Sequence, residues 1–157
     1  MKTVHAPDAY IPEHPLVFLA GSIEMGEAEP WQERVEEAFQ DLPGTLLNPR
    51  RGTFLDGGRA HDAAFREQVE WELSGQEGAD LILMYFDPNT KSPISLLELG
   101  LFHTKKILVC CPDGFWRKGN VEIVCERYGI PLFETLEELI EAGKREFGVD
   151  GLENKNF

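Results

Sequence analysis

Short apolar runs alternate with stretches of helical periodicity from Pro15 to Phe147, and this alternation constrains the fold more than any other feature of the chain. It predicts a parallel sheet covered by helices, because each parallel connection requires a crossover segment of about a dozen residues or more. The nearly continuous apolar run LILMYF, residues 81–86, is typical of a strand buried on both faces at the centre of such a sheet.

The predicted secondary structure follows the same pattern. Strands are predicted at residues 16–20, 45–47, 81–86, 107–111 and 131–133. Helices are predicted at residues 30–42, 62–76, 94–103 and 119–128, and a last helix begins at Thr135, where Thr135 and Glu138 form a capping box. We therefore predict an α/β fold: a doubly wound, flavodoxin-like, mostly parallel sheet of about five strands with helices on both faces.

Length and composition fit one domain with a substantial core. The 157 residues are predicted to form a single domain, 1–157, with an N-terminal extension at 1–14 and a C-terminal tail at 148–157. The 28 Asp and Glu residues outnumber the 15 Lys and Arg residues, and the resulting net charge of −13 disfavours nucleic acid as a partner. A small-molecule ligand is the better expectation.

The spacing of the cysteines and histidines and the lengths of the apolar runs indicate where in the cell the protein is expected and whether a metal site is expected. Cys110, Cys111 and Cys125 form no CxxC pair, and the two adjacent cysteines inside an apolar run indicate buried strand residues. We expect a cytoplasmic protein, since the first residues lack the apolar core of a secretory signal and no run approaches the ~20 apolar residues of a membrane span. The four histidines show no metal-ligand spacing, so we expect no metal site.

The predicted topology places ligands beyond the carboxyl ends of the strands, so the loops after the first four predicted strands are expected to share one cleft. The loop at 48–60 is rich in glycine and arginine and is expected to be long. Gly21 and Ser22 are expected to turn the backbone sharply and expose amide groups to a ligand. The fingerprints GxGxxG, GxxxxGK(S/T) and GxSxG are absent, which disfavours NAD chemistry, nucleoside triphosphate hydrolysis and serine hydrolase chemistry.

Glu98 is the first candidate for chemistry. It lies in SPISLLELG, near the start of the helix predicted at 94–103, where the helix dipole favours a carboxylate. A solvated helix glutamate is the ordinary interpretation of such a residue. The leucines on either side of it, however, predict a helix buried on most sides, where an unpaired carboxylate is costly. We therefore interpret Glu98 as a candidate nucleophile.

Glu72 and Asp87 are further candidates. Glu72 shares the inward sector of its predicted helix with core residues, and a catalytic role or a salt bridge to one of the arginines at 50, 51 and 59 explains it equally well. Asp87 directly follows the central strand at the end where the cleft is expected, although Asp-Pro-Asn is also common in turns. Asp80 opens that strand at the opposite end, so we interpret it as structural.

Five segments carry a resemblance to a known family. In chain order they are FLAGSI (Phe18 to Ile23), NPRR (Asn48 to Arg51), QVEWE (Gln68 to Glu72), AD followed by an apolar strand (Ala79 to Phe86), and SPISLLELG (Ser92 to Gly100). The chain resembles the nucleoside 2-deoxyribosyltransferases and their relatives, the deoxynucleoside 5′-monophosphate N-glycosidases. The element ELG after an AD-strand is the most specific part of this resemblance.

The resemblance implies that Glu98, in ELG, attacks C1′ of the deoxyribose and forms a glycosyl ester as the base departs. Glu72 falls where the family carries an Asp that contacts the base, and Glu72 or Asp87 is expected to orient and protonate the base. Ser92 lies six residues before Glu98, where transferases can carry another acid and the glycosidases carry a phosphate-binding serine. Glu24 follows GSI where the glycosidases supply an arginine, which favours a free nucleoside over a 5′-phosphate.

Asn120, in KGN, resembles the family's asparagine that reaches a neighbouring subunit's site, which implies a homo-oligomer with shared active sites; a helix N-cap is the alternative. Tyr85 is expected to help position Glu98, and Trp31 or Gln32 to line the base pocket. The residues predicted to bind substrate are Gly21, Ser22, Ile23, Trp31, Gln32, Asn48, Arg50, Tyr85, Ser92 and Asn120.

These observations predict an enzyme that exchanges the base of a 2′-deoxyribonucleoside, with a nucleoside and a free nucleobase as its partners and no metal or organic cofactor. An N-glycosidase that transfers the sugar of a nucleoside or nucleotide to water is the nearest alternative. A nonenzymatic nucleotide-sensing or interaction module on the same sheet is the alternative from another class, since one fold hosts many functions.

Overall fold

One parallel sheet of six strands organises the computed structural model, which describes residues 1–23, 28–51 and 58–148. Its strands are β1 (Lys2–His5), β2 (Leu16–Gly21), β3 (Thr45–Asn48), β4 (Leu81–Tyr85), β5 (Ile107–Cys110) and β6 (Leu132–Phe133). Its helices are α1 (Trp31–Phe39), α2 (Ala63–Gly78), α3 (Pro93–Phe102), α4 (Lys118–Tyr128) and α5 (Leu136–Glu146). The strand order is β1-β3-β2-β4-β5-β6, and every neighbouring pair is parallel. The predicted flavodoxin-like α/β fold is confirmed.

The additional strand is β1, at the edge of the sheet beside β3. It pairs in parallel with Thr45–Asn48, so the start of the predicted extension belongs to the sheet. The segment that follows packs on α2, where Trp71 Nε1 donates to the carbonyl of Asp8 (2.9 Å). Val4 is the buried residue of β1, and a strand with one buried side chain carries no apolar run, which explains why the sequence predicted about five strands.

Apolar side chains form a separate core on each face of the sheet. Successive side chains of a strand point to opposite faces. In β4, Ile82 and Met84 therefore pack with residues of α2, α3 and α4, whereas Leu83 and Tyr85 pack with residues of α1 and α5. All five residues of β4 are buried, as expected for the central strand.

Two helix starts follow directly from the sequence. The predicted capping box is confirmed at α5, where the Thr135 hydroxyl accepts from the Glu138 N–H (3.2 Å) and the Glu138 carboxylate accepts from the Thr135 N–H (3.1 Å). At α2, the Asp62 side chain accepts from the backbone N–H groups of Ala64 and Phe65. Both caps satisfy amides that a helix start leaves unpaired.

The cysteines are buried as free thiols. Cys110 ends β5, Cys111 follows it, and Cys125 lies in α4. Across residues 1–23, 28–51 and 58–148, the structure contains no helix with the length and apolar character needed to cross a membrane.

Gly21→Ala is expected to destabilise the fold. Gly21 ends β2 with φ of 138°, and a Cβ there would lie 2.3 Å from the carbonyl oxygen of Tyr85. Strain at such a φ together with this overlap should lower the free energy of unfolding by about 2–4 kcal/mol in urea titrations. Gly119→Ala in α4 is the matched control, since a Cβ there meets nothing within 4 Å. Equal stability of the two variants would contradict this explanation of Gly21.

Candidate active site

The loops after β2 and β4 meet at the carboxyl ends of the strands, and the Ser22 hydroxyl joins them. Its Oγ lies 2.5 Å from Ser92 Oγ and 3.0 Å from Thr90 Oγ1, and it accepts the backbone N–H of Asp87 (2.8 Å). The Ser22 N–H donates to the Tyr85 carbonyl (2.9 Å), so the expectation that this amide faces a ligand is wrong. The side chains of Ser22, Thr90 and Ser92 therefore form a buried cluster of hydroxyl groups at the start of α3.

Asn48, the last residue of β3, and Arg50, two residues later, connect this strand to α1. The Asn48 side-chain oxygen accepts the Arg50 N–H (2.9 Å). The Arg50 guanidinium donates to the carbonyls of Ala28 and Glu29 (each 3.2 Å) and to Gln32 Oε1 (3.1 Å). Arg50 therefore contacts the loop before α1 and fixes Gln32 beside it, whereas Asn48 Nδ2 donates to Glu36 of α1 (2.6 Å).

Trp31 and Tyr85 pack on the face of the sheet that α1 and α5 cover. Trp31 is fully buried, its Nε1 donates to the Ser22 carbonyl (3.0 Å), and its ring centroid lies 5.5 Å from that of Tyr85. Since Glu98 belongs to α3 on the opposite face, the expectation that Tyr85 positions Glu98 is wrong. A fully buried Trp31 likewise supports the Ser22 loop and does not present its ring to the cleft.

Asp87 organises the same loops. Its carboxylate accepts the backbone N–H groups of Glu29 (2.7 Å) and Asn89 (2.8 Å), and the side chain is buried. These contacts tie the start of α1 to the end of β4. Asp80 lies at the opposite end of β4, where its carboxylate accepts the Leu16 N–H (2.7 Å).

Glu98 lies on the inward side of α3 and is only 8% exposed. The other side of this helix is open: Ile94, Leu97 and Leu101 are 59%, 57% and 55% exposed. The expectation that leucines bury the helix on most sides is therefore wrong, because α3 packs against the sheet along one side only. The carboxylate is nevertheless on the buried side, with Leu99 beside it.

Glu72 lies on α2 and bonds to a neighbouring glutamine. Gln68 Nε2 donates to Glu72 Oε1 (2.6 Å) and to the Pro49 carbonyl (3.1 Å), and Arg51 donates to Gln68 Oε1 (3.3 Å). Within the described ranges no Lys or Arg forms an ion pair with Glu72, so the salt-bridge interpretation is not what the structure contains. Arg51 reaches this carboxylate only through Gln68.

The two glutamates act on each other electrostatically. Burial raises the pKa of Glu98 to about 8, and the negative charge of Glu72 adds to this rise. Burial also raises the pKa of Glu72, while its hydrogen bond from Gln68 lowers it in part. Two carboxyl groups in such surroundings disfavour a double negative charge and tend to share one proton. The pair can therefore provide one nucleophile and one acid.

Gln76 is a site residue that the sequence analysis did not identify. It is fully buried in α2, one turn after Glu72, and its Nε2 donates to the Glu72 carbonyl oxygen (3.3 Å). A hydrogen bond from its side chain also lowers the pKa of Glu98. The available signal was the spacing of four that places Gln68, Glu72 and Gln76 on one face of the helix.

Asn120 lies elsewhere, on the exposed side of α4. It is the third residue of the helix, whose N-cap is Arg117, so the N-cap alternative is wrong. With Trp116 and Arg117 it borders a groove of about 350 Å³ between α3 and α4. The apolar floor of the groove is formed by Leu96, Leu99, Val121 and Val124.

Several predicted features lie outside the described residues: Glu24, positions 52–57 of the long loop, and positions 149–157 of the tail. Ile23, half-buried, ends the described part of the loop after β2. Among the residues that the structure does describe, no group of three or more His, Cys, Asp or Glu side chains could hold a metal ion.

A comparison with protein families gives one finding. A family model described as "Nucleoside 2-deoxyribosyltransferase like" matches residues 14–115, which are 102 of the 157 residues. The matched region runs from β2 to β5 and contains Glu72, Gln76 and Glu98. No curated protein matches the chain.

Proposed function

Because the chain belongs to the nucleoside 2-deoxyribosyltransferase-like family, we propose that it exchanges the base of a 2′-deoxyribonucleoside through a covalent ester on Glu98. The observation that carries the proposal is the pair of carboxyl groups formed by Glu98 on α3, which is buried, and Glu72 on α2, which is half-buried, each with a raised pKa. Pairs of carboxyl groups whose environments set their protonation apart perform acid and nucleophile roles in glycosidic bond chemistry.

In the first half-reaction, the Glu98 carboxylate attacks C1′ on the face opposite the base. The C1′–O ester bond forms as the C1′–N bond breaks, and the bonding electron pair leaves with the base. Glu72 donates the proton that the departing nitrogen needs and becomes a carboxylate. In the second half-reaction the nitrogen of another base attacks C1′, its proton returns to Glu72, and the Glu98 carboxylate is released.

The surroundings of the pair favour transfer to a base over transfer to water. α3 lies against β2, and the core on this face includes Phe18, Met84 and Phe102. Such apolar surroundings protect a reactive ester from hydrolysis and strengthen the electrostatic interactions within the site. We assign the acid role to Glu72 and not to Asp87, since the Asp87 carboxylate binds two loop amides.

Product analysis tests the proposal. Purified protein incubated with a purine or pyrimidine 2′-deoxyribonucleoside and a different free base should form a new deoxynucleoside, measured by liquid chromatography and mass spectrometry. Release of free deoxyribose whatever the acceptor would indicate an N-glycosidase, and parallel reactions with 5′-monophosphates would show whether a nucleotide is the substrate. Nucleoside binding without any product would support the nonenzymatic alternative and contradict the proposal.

We further propose that the active form is a homo-oligomer that associates through α3 and α4. The support is the exposed apolar side of α3, formed by Ile94, Leu97 and Leu101, next to the groove that Asn120 borders. Contiguous exposed apolar surface of this kind marks an interaction site. A second copy seated there would bring its own Asn120 close to α3, the helix that carries Glu98.

Leu97→Asp is expected to disrupt this association. A charge in an apolar interface should raise the dissociation constant of the oligomer about hundredfold. The variant should therefore shift towards 17.7 kDa monomers in light scattering and lose activity. Ile11→Asp is the matched control, because Ile11 is 88% exposed in the segment after β1. A monomeric wild-type protein with full activity would contradict the proposal.

A further inference from the structure

Three partners hold the Gln68 side chain and fix the direction in which its amide points. Its Oε1 accepts a hydrogen bond from the Arg51 guanidinium (3.3 Å), and its Nε2 donates to the Pro49 carbonyl (3.1 Å) and to Glu72 Oε1 (2.6 Å). A guanidinium can only donate, whereas a carbonyl and an ionised carboxylate can only accept. The reversed amide would face three partners of the wrong kind, so the N–H groups of Gln68 point towards Glu72 and Pro49.

This arrangement gives Glu72 a hydrogen-bond donor in a fixed place. Gln68 is only 9% exposed, and it lies four residues before Glu72 on the same face of α2. Its amide cannot turn away from Glu72 without losing the contacts with Arg51 and Pro49 as well. A hydrogen bond donated to a carboxylate favours the ionised form of that carboxylate.

The contact occupies one of the two oxygens of the Glu72 carboxylate. Glu72 Oε1 accepts from Gln68, whereas Oε2 has no hydrogen-bond partner among the residues that the structure describes. The side chain is half-buried, and Oε2 is not one of its enclosed atoms. The carboxylate is therefore held at one oxygen and open at the other, which is the arrangement that a general base requires.

Few charged groups act on Glu72. From α3, Glu98 interacts with its negative charge. From the loop after β3, Arg51 reaches it through Gln68. The segment after β1 and strand β2 present aromatic rings to the neighbouring Trp71, namely those of Tyr10 and Phe18. Burial raises the pKa of Glu72 and the hydrogen bond from Gln68 lowers it. Once Glu98 is esterified and uncharged, this hydrogen bond is the main described interaction that favours an ionised Glu72.

We propose that Gln68, anchored by Arg51, is a positioning residue for Glu72 in the second half-reaction: it holds one carboxylate oxygen so that the other, Oε2, takes the proton of the incoming base. This inference rests on the proposed function, since it concerns transfer of the sugar from the ester on Glu98. As the nitrogen of the base bonds to C1′, its proton passes to Glu72 Oε2. The C1′–O ester bond breaks, and its electron pair stays on Glu98 as a carboxylate.

Gln68→Met tests the inference in the transfer step alone. The enzyme is first loaded with an N7-methylated purine deoxynucleoside, whose base departs without a proton from the enzyme, and the ester is followed by mass spectrometry of the intact protein. An acceptor base is then added, and the rate of new nucleoside formation is measured as a function of pH. Ester formation should proceed at the wild-type rate, because this step does not use Glu72 with the methylated donor.

The expected result is a shift of the transfer rate with a definite sign. Methionine has nearly the length of glutamine but no N–H, so Glu72 should ionise at higher pH, and the acidic limb of the transfer rate should move up by about one pH unit. Below that limb the variant should transfer the sugar about tenfold more slowly than the wild type. A limb that coincides with that of the wild type, or an equal loss in ester formation and transfer at every pH, would overturn the inference.

Two further variants complete the experiment. Arg51→Met leaves the Gln68 amide without its anchor and should move the limb in the same direction by a smaller amount. Thermal unfolding checks that Gln68→Met is folded, and the limb of Arg51→Met decides the matter where it is not. Gln40→Met, at the exposed end of α1, is the matched control and should keep the wild-type limb.

Failure of the inference and failure of the proposed function give different results. A wild-type enzyme that forms the ester and the new nucleoside, together with an unshifted limb in the Gln68 and Arg51 variants, would overturn the role of Gln68 alone. Absence of ester and of product from the wild type with every nucleoside would overturn the proposed function, and the role of Gln68 with it.

Discussion

Glu98→Gln is expected to lower the rate of base exchange by about 10⁴-fold or more, because an amide cannot form the glycosyl ester. The side chain keeps its size and its place on the inward side of α3, so the substrate should still bind. The measurement is kcat with a 2′-deoxyribonucleoside and an acceptor base. Mass spectrometry of wild-type enzyme treated with a 2-fluorinated deoxyribose analogue should locate the covalent adduct in the peptide that contains Glu98.

The free energy of unfolding of the same variant should depend on pH differently from that of the wild type. The pKa of Glu98 rises from 4.5 to about 8 in the folded protein, so the folded state keeps a proton that the unfolded chain has released. Wild-type stability from this group is therefore lost as the pH rises from about 4.5 to 8, at up to roughly 1.4 kcal/mol for each pH unit. Glu98→Gln should lack this decline. Glu70→Gln, on the exposed side of α2, should keep both the decline and the activity, and an active Glu98→Gln enzyme would refute the nucleophile assignment.

Glu72→Gln should lower kcat/KM by about 10²–10⁴-fold, the usual contribution of a general acid. The loss should depend on the leaving base. An N7-methylated purine deoxynucleoside departs without a proton from the enzyme, so the variant should retain most of its activity with that substrate. Steady-state kinetics with the methylated and unmethylated nucleosides measure the difference.

The Glu72 variant also predicts a shift with a definite sign. Removal of the negative charge of Glu72 lowers the pKa of Glu98, so the acidic limb of the pH profile should move to lower pH. Glu67→Gln, an exposed residue of α2, serves as the control. An equal loss of rate with both nucleosides would show that Glu72 does not protonate the base.

The fold could be predicted because most of its strands coincide with apolar runs in the sequence. β4 is buried along its whole length, and the capping box at Thr135 starts α5 where the sequence predicts it. β1 could not be found in this way, since its neighbour β3 supplies the hydrogen bonds and only Val4 enters the core. An edge strand of this kind is defined by pairing and not by its own composition.

The kinds of residue in the site could be predicted from the sequence more readily than the directions in which their side chains point. Glu98 is buried as predicted, although Leu97 and Leu101 on the same helix are more than half exposed. Tyr85 was assigned to the wrong face because adjacency to the cleft in sequence does not tell which side of a strand a residue faces. Gln76 escaped notice because a glutamine in a helix is ordinarily a surface residue, and only the packing of α2 shows that it is buried.

The sheet separates the two glutamates from half of the hydrophobic interior. Val35 and Phe39 of α1 and Leu139 and Ile140 of α5 belong to the core on the far face, with the full thickness of the strands between them and the carboxyl pair. Thermostabilising changes could therefore be collected there, for example by filling small voids, with little cost to turnover. Selection for a hotter environment and selection for a new substrate could then act on different sides of the molecule.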